Sequence, residues 1–206
     1  RLSLVGSEMC IRDRENPMIS TLLAYLAAAA ILMAGTPAAA EDCDFGEPHP
    51  MMPAESGQYQ FIIGDFEIHI HVWTGEDWSE QYRKARWGGR YILGGRAVMD
   101  EWYPFDPDDK PDVSGGVNIR MYDPGEGLWK LMWMTTNQLV ATELRSQVQE
   151  DGLMHLWRIN PPPGERKVRF ETYGPDSWAR IDTIKDENGD WVPQYKYLAT
   201  RRRCRE

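Results

Sequence analysis

The sequence predicts an all-β fold, a single antiparallel up-and-down β-barrel of about eight to ten strands. Three observations carry this. Period-two alternation recurs in short runs, the clearest being Phe66, Ile68, Ile70 and Val72 alternating with Glu67, His69, His71 and Trp73. Turn-forming strings such as Gly94-Gly95, Asp123-Pro124-Gly125 and Asp186-Glu187-Asn188-Gly189 separate the runs. After residue 40 no segment sustains the 3.6-residue period of a helix. Many short strands with short turns suit a barrel or a sandwich, and closure removes exposed sheet edges, which favours the barrel. Nine Trp and nine Tyr suit a bulky interior.

Taken in order, residues 1–17 have no sustained period, precede Met18 and resemble a translated sequencing-adaptor remnant, so they are set apart from the fold as non-native. Residues 18–40 read as a signal peptide, a helix preceding the barrel. The apolar run 22–34 has the length of a signal-peptide core and is short for a membrane span, and Ala38-Ala39-Ala40 offers a small-residue cleavage site before Glu41. The expected location is therefore periplasmic or secreted. Residues 41–58, acidic and rich in proline, read as an irregular lead-in. The barrel is expected over 59–204, with strands near 65–73, 79–92, 96–103, 115–122, 128–136, 139–149, 153–159, 167–173, 178–185 and 191–200.

The formal net charge is −9, and removal of 1–40 leaves it unchanged because that segment carries three basic and three acidic residues. An acidic domain without a basic stripe repels phosphate backbones, which argues against a nucleic-acid partner; nor is a membrane partner expected after signal cleavage. Cys10 falls in the segment set apart. Cys43 and Cys204 remain, one near each end, and an even pair in an exported chain suggests a disulfide. Closing so long a loop is worth about 5 kcal/mol at most.

The strings GDF at 64–66, ARW at 85–87, LGGR at 93–96 and YDP at 122–124 with Trp129, together with ATRR at 199–202, resemble a bacterial secreted family of calycin-like, lipocalin-like barrels. The resemblance spans about 61–202 and implies that fold. It implies no activity, since the family has no agreed one. Calycins usually carry G-x-W in the first strand; here Phe66 stands in the aromatic position and is expected to plug the barrel floor.

Several residues are candidates for chemistry. His69 and His71 share a face with Glu67, a pattern that can hold a transition metal, but the opposite face carries Phe66, Ile68, Ile70 and Val72, so the histidines are expected in solvent and no metal site is assigned. His155 shares a face with Leu153, Trp157 and Ile159 and is expected to point into the barrel. There it can contact a ligand, act as an acid/base, ligate a haem iron as in haem-binding barrels of this fold, or serve only as a bonded core histidine. Trp129 and Trp133 share a face, and with Trp102 and Trp157 they either line an apolar cavity or fill the core. Arg96 and Arg202 are expected to pack on Phe66 or Trp87 at the closed end. The signatures of common nucleophile, P-loop, dinucleotide and dithiol sites are missing.

The first expectation is thus an exported barrel that binds a small apolar or amphipathic molecule through His155, Trp157, Trp129, Trp133 and Trp102. The alternatives are a cavity enzyme of isomerase or cyclase type using His155, and a structural or interaction domain with a filled barrel. The sequence leans away from an enzyme and leaves cofactor and oligomeric state open.

Overall fold

A computed structural model describes residues 44–105, 114–137, 140–159 and 165–202. The segment 1–43, with the expected adaptor remnant and signal peptide, and both Cys43 and Cys204 lie outside the described residues.

The described chain forms ten strands: β1 (Gly64–Val72), β2 (Arg83–Ile92), β3 (Ala97–Pro104), β4 (Gly116–Asp123), β5 (Leu128–Thr135), β6 (Thr142–Val148), β7 (Met154–Arg158), β8 (Arg166–Gly174), β9 (Ser177–Lys185) and β10 (Trp191–Arg201). Each pairs antiparallel with its sequence neighbours, and β10 returns to pair with β1, closing the barrel. The expected all-β up-and-down barrel holds, and every strand read from the sequence is present with its ends moved by a few residues. The largest shift is in β2, which begins at Arg83 rather than near Ser79; Ser79 instead caps the preceding turn, its hydroxyl accepting from the Val72 amide at 3.0 Å.

The lead-in does more than enter the barrel. It folds as two short 3-10 turns, Ala54–Gly57 and Gln60–Ile62, that plug the end where β1 begins. Tyr59 and Ile62 are fully buried. The Tyr59 ring meets Trp129 edge-on at 4.9 Å and its hydroxyl donates to Ser146 Oγ at 2.6 Å, while Trp129 Nε1 donates to Gln58 Oε1 at 3.1 Å. Burying each large apolar side chain of the plug contributes roughly 1.5–3 kcal/mol. Glycine makes the seat: a Cβ on Gly89 would lie 2.1 Å from the Ile62 carbonyl oxygen.

Phe66 sits in this floor as expected, edge-on to Trp178 at 5.6 Å. The arginine on its face is neither Arg96 nor Arg202. Register pairs Phe66 with Arg201, whose guanidinium lies 4.6 Å from the ring and donates to the Ile63 carbonyl at 2.9 Å. Arg202, one residue on, has the opposite parity and pairs with Asp65, and Arg96 reaches His49 instead.

Candidate ligand cavity

Because the strands alternate in direction, β3, β5 and β7 all end at the rim opposite the plug. Near that rim the interior is not filled. A cavity of about 170 Å³ lies between the walls, lined by Trp102 of β3, Trp133 of β5, Trp157 and Arg158 of β7, Arg166 of β8, Arg180 of β9 and Tyr197 of β10, with Asn118 and Arg120 of β4 beneath. Thr142, Leu144, Leu156, Val168, Phe170 and Trp87 complete the lining.

The two β3–β5 indoles owe their position to a glycine. Trp102 pairs directly with Gly116 across β3–β4, and the Trp133 ring lies over Gly116 from the other side, so that a Cβ there would be 2.1 Å from Trp133 Cη2. Gly116 is therefore the gap into which the Trp133 ring fits.

Beneath the aromatic rim the walls carry charge. Asp100, fully buried, accepts from Arg120 Nε at 2.5 Å and from Asn118 Nδ2 at 3.2 Å. Arg120 is 1% exposed and stacks over the Tyr59 ring at 4.3 Å, linking cavity to plug. Asp182, also fully buried, accepts two bonds from Arg180, at 2.7 and 3.1 Å, and one from Arg166 at 3.1 Å. Burial is the largest influence on Arg120 and Arg180 and opposes their charges, but Asp100 with Tyr59, and Asp182 with Tyr197, together outweigh it and hold both guanidiniums above the ordinary range. Burial, and then Asp182, also raise Tyr197.

Arg158 differs from these three. It has no ion-pair partner among the described residues, and its neighbours are mostly cations. Burial first, then Arg166 and Arg180, hold it below the ordinary arginine range, against a smaller opposite effect of Asp182. Four polar atoms of residues that line the cavity are buried without a hydrogen-bond partner: Trp87 Nε1, Trp102 Nε1, Asn118 Oδ1 and Arg120 Nη1.

Of the residues singled out from the sequence, Trp102 and Trp133 line the cavity from inward positions, whereas Trp157 meets it from the outward set of β7, opposite Arg145, and not from the inner face expected of it. Trp129 does not; it is spent in the floor against Tyr59. His155 is a correction. It lies on the outer wall, its side chain 29% exposed, with Nε2 2.8 Å from Asp151 Oδ2. The inward residues of β7 are Met154 and Leu156, because register sets Leu156 opposite Ser146 and Val168, and Met154 opposite Phe170, all of them buried. A one-residue difference in parity reverses a whole strand, and in LMHLWRI both alternate sets are partly apolar. The haem-ligand and acid/base readings of His155 lose their geometry with it, and no other histidine lines the cavity. His69 and His71 lie on the outer face as expected: His69 stacks on Tyr82 at 3.9 Å and bonds Glu67, and His71 Nδ1 lies 2.7 Å from the Ser79 carbonyl. Among the described residues no group of three potential ligands is placed to hold a metal.

The interior arginines escaped sequence reasoning. In VNIRMY the apolar set is Val117, Ile119 and Met121, and alternation alone would turn that set inward. The barrel does the reverse and buries Asn118 and Arg120, leaving Met121 half exposed. The available signal is the pairing of opposite charges two apart on one face, Arg180 with Asp182, beside the inward Trp178.

No protein-family model matches the chain, and no curated protein matches it. Among solved structures it is similar to the S-type phycobiliprotein lyase CPES from Guillardia theta, with a TM-score of 0.50 and 14% identity over 75% of this chain and 96% of that one. The likeness is one of fold, and the lipocalin-like barrel read from the sequence holds at that level.

Proposed function

We propose that the barrel binds a small amphipathic molecule in the rim cavity. The observation that supports it is the conjunction of unfilled space, three rim indoles and the unpartnered polar atoms of Trp102, Asn118 and Arg120. A buried polar group without a partner costs about 1–3 kcal/mol, and although Trp178 Nε1 and Tyr91 Oη are unpaired elsewhere, only around the cavity do such atoms gather on the walls of unfilled space among the described residues. A ligand with an aromatic or apolar body and a polar edge meets both demands. Residues carried over from the sequence to this site are Trp102, Trp133 and Trp157. The likeness to a phycobiliprotein lyase concerns fold and does not bring that activity here.

The test is native mass spectrometry of the protein isolated from its source, with a retained small molecule as the expected result. Trp133→Ala should shed that molecule, whereas His155→Ala should keep it. A protein that carries nothing, and whose tryptophan emission is indifferent to a library of small aromatics, would return the reading to a structural domain.

The proposal includes the compartment. The apolar run 22–34 followed by the alanines before Glu41 supports export to the periplasm or beyond, and an oxidising compartment supports a Cys43–Cys204 bridge. Non-reducing mass analysis of freshly isolated protein should find both thiols protected from alkylation; two alkylated cysteines would remove the bridge.

A further inference from the structure

We infer that the cavity selects a compact aromatic carboxylate, with Arg158 as the anchor of its anionic end. The inference rests on the cavity-binding reading and adds the charge and the size of the ligand.

The charge follows from the walls. Four guanidiniums, those of Arg120, Arg158, Arg166 and Arg180, face two carboxylates, Asp100 and Asp182, leaving two positive charges in excess among the described residues of the cavity. Asp100 is committed to Arg120, and Asp182 is shared by Arg166 and Arg180. Arg158 is left with cationic neighbours and no ion-pair partner of its own among the described residues, Asp182 being committed to Arg166 and Arg180, although it lines the same space. A cation held near other cations in a half-buried site is stabilised by an incoming anion far more than by a neutral molecule. A carboxylate matches the planar guanidinium fork and adds little volume. Deeper in the cavity Arg120 Nη1 offers another donor with no protein partner.

The size follows from the volume. About 170 Å³ is close to the cavity of roughly 150 Å³ that accommodates a benzene ring, and below the roughly 300–1,000 Å³ of pockets for drug-sized ligands. The body is therefore one or two rings, seated against Trp102 and Trp133, whose faces take an aromatic edge or stack. A tetrapyrrole such as haem exceeds this space.

Isothermal titration of the full chain with naphthoate and with naphthamide, which differ in charge and little in shape, tests the inference. Wild-type protein should bind naphthoate at least about tenfold more tightly, the preference expected of one charge-assisted pair. Arg158→Gln should bring the two affinities to within about twofold while naphthamide binding stays at its wild-type value. Arg158→Lys, which keeps the charge, should retain most of the preference and guards against a folding artefact. Arg90→Gln on the outer wall should change nothing. Equal wild-type affinity for the two probes, or a preference that survives Arg158→Gln, overturns the anionic selection while leaving small-molecule binding in place. Binding of neither probe overturns both.

Discussion

Asp100 and Gly116 decide the cavity from opposite directions, one by charge and one by having no side chain. Asp100 is the only carboxylate that pairs with the buried Arg120 among the described residues, so Asp100→Ala strands a cation beneath the cavity. Removing one partner of a buried pair costs about 3–5 kcal/mol, and urea unfolding should show a loss of that order. Asp100→Asn, which keeps a hydrogen-bond acceptor, should lose less. Gly116→Ala acts differently. Its new Cβ would stand where the Trp133 ring lies, and the ring has open cavity to retreat into. The expected outcome is a modest fall in stability, about 1 kcal/mol, and a larger fall in naphthoate affinity, read by the same titration. An affinity unchanged by Gly116→Ala would mean that the Trp133 indole is not part of the binding surface.

Among the elements, β7 is the one whose parity separates competing functions. Leu156 faces the core and is nearly buried, whereas His155 faces out toward Asp151. Leu156→Ala should cost about 2–4 kcal/mol, while His155→Ala should change stability by less than about 0.5 kcal/mol. The opposite order, measured by thermal or urea unfolding, would place His155 inside and restore the acid/base reading. The lead-in is the second decisive element. Its Tyr59 stays neutral in the plug: burial, the largest influence, raises its pKa above the ordinary 10.0, with Arg120 and the Ser146 hydroxyl working against that. A raised folded-state pKa means that the unfolded chain loses the proton first. The stabilisation is complete below pH 10 and fades as pH climbs through the folded value. Stability should accordingly fall with increasing pH above about 10, and Tyr59→Phe should flatten that slope, at the separate cost of the bond to Ser146.

For the whole molecule, closure matters because β10 returns to β1 and makes the interior a concave surface on which buried polar atoms converge. The plug closes one end with Tyr59 and Ile62, and the aromatic and cationic side chains gather toward the other. The architecture thus divides the interior into a floor that contributes stability and a rim that is left to function. A filled floor and an open rim predict separable mutational effects. Substitutions of Phe66, Trp129 or Trp178 should lower the unfolding midpoint together with binding, whereas Trp102→Ala and Trp157→Ala should lower affinity with the midpoint shifted by only a few degrees. Midpoint losses of equal size in both groups would argue that the rim is as structural as the floor.

Strand number, strand order and closure were legible in the alternation and the turn residues, because a two-residue period and a glycine turn are local consequences of local chemistry. So were the floor role of Phe66 and the cavity positions of Trp102 and Trp133. Which face of each strand turns inward was legible only where one face was plainly apolar, as in β1. In β7 both faces carry apolar side chains, so local pattern cannot choose between them, and in β4 it points to the face of Val117, Ile119 and Met121, which the barrel turns outward. There the choice was made by register with neighbouring strands: Leu156 follows Ser146 and Val168, and Arg120 follows Val98 and Leu131. Arg120, Arg166 and Arg180 lie inside because buried Asp100 on the neighbouring strand β3, and Asp182 two residues along β9 and beside β8, compensate their charge. Strand pairing brings those carboxylates beside the arginines, and barrel closure sets Arg158, which has no ion-pair partner among the described residues, into the same cavity.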